Sequence, residues 1–88
     1  MNAAFRKSFT RDLKKIKEND ILERVRQVIE EVEAATELLG IGNLKKMSGT
    51  TNFYRIRVGD YRIGAAVDGD TFEFVRCLAR RDLYRYFP

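Results

Sequence analysis

Histidine and tryptophan are absent from this chain of 88 residues, and cysteine and proline each occur only once. The lack of histidine removes the most frequent general base and the most frequent metal ligand. One cysteine cannot form an internal disulfide or a cysteine-based zinc site. The sequence also has no glycine-rich phosphate loop, nucleophile elbow or paired-carboxylate motif. We therefore expect neither a metal nor a cofactor.

The single cysteine, Cys77, lies within a stretch that is typical of a β-strand. No basic titratable side chain is placed to activate it, so we expect a small buried hydrophobic residue and not a nucleophile.

Long apolar runs are also missing, and the N-terminal stretch MNAAFRKSFTRDLKK lacks the apolar region of a signal peptide. The length predicts a single domain that spans residues 1–88. We expect a soluble, cytoplasmic protein.

Positive charge is concentrated in the second half of the chain. Residues 1–44 hold 8 Lys+Arg and 8 Asp+Glu, whereas residues 45–88 hold 9 Lys+Arg and 5 Asp+Glu, so the whole net charge of +4 lies in the second half. Seven of those nine cations are arginine, whose planar guanidinium suits phosphate groups. The distribution indicates a nucleic-acid partner, an acidic protein partner, or both.

Residues 53–70 read FYRIRVGDYRIGAAVDGD, in which apolar side chains recur at every second position. Such alternation is typical of β-strands with one buried face. The Gly59-Asp60 pair between the two alternating runs predicts a hairpin with a type II′ turn. The predicted cross-strand pairs are Val58 with Tyr61, Arg57 with Arg62, Ile56 with Ile63, and Arg55 with Gly64.

This hairpin would gather Arg55, Arg57 and Arg62 on one face of the sheet. Like charges directly opposite each other cost about 0.2–1 kcal/mol. Gly64 and Ala66 on the same face are small, and the two predicted strands contain no acidic residue. A solvated face explains a single arginine, but three that converge over a shallow floor favour an anion-binding site.

The first half of the chain predicts a short strand followed by two helices. The strand covers residues 3–8, with Phe5 facing the core. Apolar residues at helical spacing predict a first helix from about Ser8 or Thr10, and a second that begins after the N-cap Asp20 and ends after Leu39.

Three strands follow, at residues 53–58, 61–67 and 71–79, with Asp68-Gly69 as the second two-residue turn and a short turn or helix at the C-terminus. On the last strand we expect Phe72, Phe74 and Leu78 to form one apolar set. The fold class is α+β, with a small antiparallel sheet and an N-terminal helical hairpin packed on one face.

Arginine, lysine and tyrosine are the side chains left to support chemistry. Positioned cations stabilise the charge that develops on phosphorus oxygens, and RNA carries its own nucleophile in the 2′-hydroxyl group. A tyrosine beside several arginines can act as acid or base. The last strand and tail supply Arg76, Arg80, Arg81, Tyr84, Arg85 and Tyr86.

The motifs NLKKMSG, FYRIRVGDYRIG and FVRCLARRDLYRYFP together resemble the RelE side of the RelE/ParE superfamily of toxins from type II toxin–antitoxin systems. The resemblance spans the chain and includes the spacing R-x-x-x-Y from Arg80 to Tyr84. It implies a RelE-like, microbial-ribonuclease-type fold. It also implies a ribosome-dependent endoribonuclease that cleaves mRNA in the ribosomal A site without a metal, and a cognate acidic antitoxin that covers the basic surface.

Carried over to this sequence, the resemblance implies catalytic roles for Arg62, for Arg80 or its neighbour Arg81, and for Tyr84. The RNA-binding residues that we expect are Arg55, Arg57, Lys45, Lys46, Arg76 and Arg85. The sequence departs from the family at Ala79, where many relatives have histidine, so a relative that uses histidine or glutamate as its base offers no template for proton transfer here. Strict alternation from an Asp68-Gly69 turn puts Arg81 on the arginine face, whereas a bulge near Ala79 would put Arg80 there.

Two other functions are compatible with these patterns. One is a ParE-like inhibitor of DNA gyrase that acts without cleavage, and the other is a non-catalytic RNA-binding protein on the same fold.

Overall fold

The computed structural model describes residues 1–88 and consists of a five-stranded sheet with three helices. The elements in chain order are β1 (Asn2–Phe5), α1 (Lys7–Lys15), α2 (Asn19–Ala34), a 3₁₀ turn (Leu38–Gly40), β2 (Leu44–Lys46), β3 (Phe53–Val58), β4 (Tyr61–Asp68), β5 (Thr71–Ala79) and α3 (Arg80–Tyr86).

The sheet has the strand order β1-β5-β4-β3-β2 and is mixed. Strands β3 to β5 pair antiparallel, as predicted, and β2 adds a further antiparallel strand beside β3, but β1 pairs parallel with β5. A parallel neighbour needs a long crossover, and here most of the chain lies between β1 and β5. The α+β class is confirmed, whereas the wholly antiparallel sheet is corrected to a mixed one.

One face of the sheet carries the main core. Helix α1 contributes Phe9 and helix α2 contributes Val25 and Val32, all at most 2% exposed. They pack against sheet residues that include Ile56 and Ile63. The helical spacing of apolar residues on α1 and α2 thus predicts the buried stripe correctly.

The first half differs from the sequence prediction at three boundaries and in the burial of Phe5. Strand β1 ends at Phe5, not at residue 8, and α2 begins at Asn19, so Asp20 lies inside the helix and is not its N-cap. Phe5 is 46% exposed, because it ends the edge strand and covers only the outer side of Phe9 and Phe74. Helix α2 ends at Ala34, not after Leu39. The Met1 nitrogen, just before β1, donates to the carbonyl oxygens of Val32 and Ala35, so the last turn of the helix is capped ahead of Gly40 and Gly42.

The β3–β4 hairpin has the predicted register, including the pairs Arg57–Arg62 and Arg55–Gly64. Gly59 has a φ of 59°, as the first position of a type II′ turn requires.

The β4–β5 hairpin differs from the prediction in its turn and in its alternation. Its turn residues are Gly69 and Asp70, because Asp68 already pairs with Thr71. A bulge then leaves Val75 unpaired between the pairs Ala65–Phe74 and Gly64–Arg76. The bulge separates the predicted apolar set: Phe72 and Phe74 lie in the main core, whereas Leu78 packs in a smaller cluster on the other face.

That smaller cluster holds α3 against the arginine face of the sheet. It is built from Val75, Leu83 and Phe87. A Cβ placed on Gly64 would lie 2.8 Å from the Phe87 ring, so the missing side chain of Gly64 is what allows this contact. The predicted shallow floor is therefore partly covered by the C-terminal segment.

None of the helices is long and apolar enough to cross a lipid bilayer.

Candidate nucleic-acid interface

The arginine face contains a pocket of about 250 Å³ near the end of β3 and β4 that carries the Gly59-Asp60 turn. We call it the arginine pocket. Its lining has four cations and no acidic or apolar side chain, and consists of Asn43, Lys45, Arg55, Arg57 and Arg62. Lys45 pairs with Arg55 across β2 and β3, and Arg57 pairs with Arg62 across β3 and β4, so regular strand register brings the four cations together. The pocket can bind an anion.

Arg62 is the buried member of the pocket, with only 7% of its surface exposed. Its Nη1 donates to the carbonyl oxygens of Gly59 and Tyr61, each at 2.9 Å, which fixes the guanidinium beside the turn. Its Nε is buried and has no hydrogen-bond partner. Burial lowers the pKa of Arg62, and the nearby cations Arg57 and Arg80 lower it further. An anion in the pocket would relieve both effects.

Tyr84 of α3 contacts Arg55, one of the residues that line the pocket. The Arg55 Nη1 donates to the Tyr84 hydroxyl oxygen at 2.5 Å, and the Arg55 Cζ lies 5.5 Å from the centroid of the Tyr84 ring. Tyr84 is 55% exposed, so its hydroxyl group can reach a bound ligand. Because Arg55 donates to the oxygen, the hydroxyl proton is free to be donated elsewhere.

Neither Arg80 nor Arg81 lines the arginine pocket, but the strand register favours Arg80 as the neighbour of Arg62. The bulge puts Leu78 opposite Arg62, and the backbone N–H of Arg80 then donates to the Asp60 carbonyl at 2.9 Å. Arg80 is among the cations that lower the pKa of Arg62. Arg81 lies beside Asp82 and Arg85 on the outer side of α3. The strict alternation expected along β5 is broken by a bulge, which lies at Val75 and not near Ala79. The role of Arg80 in the site stays a prediction.

Three of the predicted RNA-binding residues lie outside the pocket. Lys46 pairs with Tyr54 and so faces the opposite side of the sheet from Lys45. Arg85 stacks on Tyr86 at 6.0 Å from the ring centroid. Arg76 is bound by a carboxylate under α1, where its Nε and Nη2 donate to Asp12 at 2.8 and 3.1 Å.

Asn43 is a pocket residue that sequence reasoning missed. It has a φ of 59°, a conformation that asparagine tolerates better than most residues, and it leads into β2. The Gly42-Asn43 pair is typical of a turn. Such a pair does not show which part of the sheet the turn will lie against, so it could not predict that Asn43 lines the pocket.

Cys77 is buried, as predicted, and burial raises the pKa of its thiol to about 12. It takes no part in the arginine pocket.

Comparison with known proteins agrees with this architecture. The family model of the ParE toxin of the type II toxin–antitoxin system, parDE, matches residues 3–84. Toxin RelE3 of Methanocaldococcus jannaschii is 44% identical over 89 residues, and the match covers 100% of both chains.

Solved structures show the same similarity in three dimensions. A chain of the RelB–RelE antitoxin–toxin complex from Methanococcus jannaschii superposes with a TM-score of 0.81 at 44% identity, covering 97% of this chain and 99% of that one. The YoeB dimer from Staphylococcus aureus shares the fold, with a TM-score of 0.73 at 20% identity over 91% of this chain and 97% of that one.

The chain belongs to the RelE/ParE superfamily of type II toxin–antitoxin toxins. Its similarity to RelE3 over the full length confirms the resemblance to the RelE side that the sequence motifs indicate.

Proposed function

We propose that this toxin is an endoribonuclease that cleaves messenger RNA on the ribosome and thereby inhibits translation. The observation that carries the proposal is the arginine pocket, in which a buried guanidinium with an unpaired Nε lies among other cations, one of which contacts a tyrosine hydroxyl group. The unpaired guanidinium supports phosphate binding, and the tyrosine hydroxyl group beside Arg55 adds the proton donor that cleavage requires and that binding alone does not.

In this mechanism the scissile phosphate occupies the arginine pocket. Arg57 and Arg62 neutralise its non-bridging oxygens, and Arg80 approaches from the start of α3. Charge grows on these oxygens as the phosphorus becomes five-coordinate, so the prepositioned guanidinium groups bind the transition state more strongly than the ground state.

The RNA itself supplies the nucleophile. The 2′-oxygen attacks the phosphorus and loses its proton to water, while the bond from phosphorus to the 5′-oxygen breaks. Tyr84 donates its proton to that leaving oxygen, and the Arg55 guanidinium, already bonded to the Tyr84 oxygen, stabilises the phenolate that remains. The products are a 2′,3′-cyclic phosphate and a 5′-hydroxyl end.

A cognate antitoxin is the partner that the family implies. RelE from Methanococcus jannaschii is seen in complex with RelB. We expect the antitoxin of this toxin to be acidic where it covers the arginine face. Because the proposed substrate is mRNA that is bound to the ribosome, the site of action is the cytoplasm.

Inhibition of DNA gyrase is the second candidate function, because the matching family model is that of ParE. Gyrase inhibition requires no catalytic alignment of Tyr84 with Arg55. RNA cleavage needs the Tyr84 hydroxyl group as a proton donor, and gyrase inhibition does not.

The test is incubation of the purified toxin with ribosomes programmed with a defined mRNA, followed by mapping of the RNA ends. We expect cleavage that yields a 2′,3′-cyclic phosphate, and no cleavage of the same mRNA without ribosomes. Intact mRNA, together with inhibition of gyrase supercoiling by the same preparation, would overturn the proposal in favour of the second function.

A further inference from the structure

A second cavity continues the arginine pocket towards helix α2. It has a volume of about 170 Å³, and two residues, Asn43 and Arg57, line both cavities. The wall on the far side is supplied by Arg24, Gln27 and Glu31 of α2. A ligand that fills the arginine pocket can therefore extend into this cavity without leaving the surface.

Arg24 lies where it can contact such a ligand. Its Nη1 lies 3.0 Å from the position that a Cβ on Gly59 would occupy, so the guanidinium lies against the β3–β4 turn. The carbonyl oxygen of Gly59 accepts the hydrogen bond from Arg62 at 2.9 Å. Arg24 and Arg62 thus flank the same turn residue, one in each cavity.

The charge of Arg24 is not neutralised within the protein. Arg24 is exposed and forms no ion pair or side-chain hydrogen bond, whereas its helix neighbour Arg26 is paired with Glu23 and Glu30. Glu31 is the only carboxylate in the cavity lining, and its Oε1 accepts the backbone N–H of Gly42. The cavity therefore combines two cations, one occupied carboxylate and two side-chain amides.

We propose that Arg24, Gln27 and Asn43 form a second RNA subsite, which binds a phosphate group next to the one in the arginine pocket. Guanidinium groups suit phosphate oxygens, and the amides of Gln27 and Asn43 suit ribose hydroxyl groups or base edges. This inference rests on the proposed RNA cleavage and assigns to α2 the role of holding a neighbouring nucleotide. The phosphate belongs either to the mRNA that is cleaved or to ribosomal RNA, which have the same chemistry.

The experiment measures the salt dependence of binding for wild type, Arg24→Ala and the control Arg11→Ala. Arg11 is also exposed and unpaired, but it lies on α1, which packs on β5, whereas α2 contacts β3. The probes are a fluorescent, non-cleavable 2′-O-methyl RNA of nine nucleotides and vacant ribosomes. Each lost phosphate contact to single-stranded RNA should lower the slope of log K against log salt by about 0.7.

We expect Arg24→Ala to lower the slope by about 0.7 on at least one probe and Arg11→Ala to leave it unchanged. A change on the oligonucleotide assigns the subsite to mRNA, and a change on vacant ribosomes alone assigns it to ribosomal RNA. Glu31→Gln, which keeps the acceptor for Gly42 but removes a negative charge, should tighten binding to the same probe. Equal slopes for Arg24→Ala and wild type on both probes would overturn the subsite.

Failure of this inference can be told apart from failure of the proposed function. If wild type cleaves mRNA on ribosomes but Arg24→Ala keeps the wild-type slope, only the α2 subsite is wrong. If wild type neither cleaves nor binds RNA, the proposed function itself is wrong. Circular dichroism and thermal unfolding should match wild type, because the Arg24 side chain is exposed.

Discussion

At the scale of single residues, Arg62 combines structural and functional roles. The strand alternation places it correctly on the arginine face, but alternation shows which face a side chain takes and not how deeply it is covered. The burial of Arg62, which is only 7% exposed, depends on how the whole chain packs around it. Arg62→Ala would therefore lose two carbonyl contacts and open a cavity, so lost activity in that variant would not isolate catalysis.

Arg80 and Arg81 offer a matched pair for testing the site. Both are exposed and adjacent in sequence, but of the two only Arg80 contributes to lowering the pKa of Arg62. We expect Arg80→Ala to lower single-turnover cleavage on programmed ribosomes by about 10²–10³-fold, the cost of losing one charged donor to the transition state. Arg81→Ala should stay within a few-fold of wild type, and the reverse order would contradict the register set by the bulge.

Tyr84→Phe tests the role of the hydroxyl group while keeping the ring over Arg55. If Tyr84 protonates the leaving oxygen, cleavage should fall by about 10²–10⁴-fold. Stability should be unchanged, because the side chain is exposed and its only hydrogen bond is to Arg55. A nearly silent Tyr84→Phe with a damaging Tyr84→Ala would instead show that the ring stacks on a base, which contributes about 1–3 kcal/mol.

At the scale of elements, local sequence patterns predicted the strands better than the connections between them. The alternation of β3 and β4 and the Gly59 turn fixed their register. The bulge at Val75 left no comparable signal, because an inserted residue changes the alternation without changing the composition. That one residue decides whether the register favours Arg80 or Arg81 as the neighbour of Arg62.

The parallel pairing of β1 with β5 also cannot be predicted from local sequence patterns. It joins residues that are distant in sequence. The interaction of α1 with β5 combines the packing of Phe9 on Phe74 with hydrogen bonds to one buried carboxylate. Asp12 is 4% exposed and accepts hydrogen bonds from the Arg76 guanidinium and, at 2.9 Å, from the backbone N–H of Cys77. Both partners come from β5 beyond the end of β1, so Asp12 satisfies a sheet edge that β1 does not reach.

We expect Asp12→Ala to lower the free energy of unfolding by about 3 kcal/mol, because removing one partner leaves the other charge and the strand N–H without compensation. The Arg76 side chain is 26% exposed, so water can recover part of its interaction, and the estimate is taken at the low end. Urea denaturation provides the measurement. Asp20→Ala, an exposed change on α2 without a side-chain cap bond, should cost less than about 1 kcal/mol. Equal losses in the two variants would show that the Asp12 contacts do not hold α1 on the sheet.

At the scale of the whole molecule, the fold separates packing from binding. One sheet face and the two N-terminal helices form the main core, and the other face carries the arginine pocket with α3 beside it. The separation allows four cations to converge without an acidic neighbour, since stability comes from the opposite face. Four of the nine cations of residues 45–88 line this pocket, so part of the charge excess of the second half of the sequence is concentrated on one face.

An acidic antitoxin that covers this face should bind with an association rate that depends strongly on salt. Long-range attraction between opposite charges accelerates encounter, and it is screened as the Debye length falls from about 10 Å at 0.1 M salt to about 3 Å at 1 M. Apolar contacts, which are less sensitive to salt, should set the dissociation rate. Surface plasmon resonance with the cognate antitoxin, between low and high salt, separates the two rates. We expect the association rate to fall at least tenfold while the dissociation rate changes little, and we expect the double substitution Arg55→Gln with Arg57→Gln to flatten the dependence. An association rate that does not respond to salt would mean that the antitoxin recognises an apolar groove and leaves the arginine pocket open.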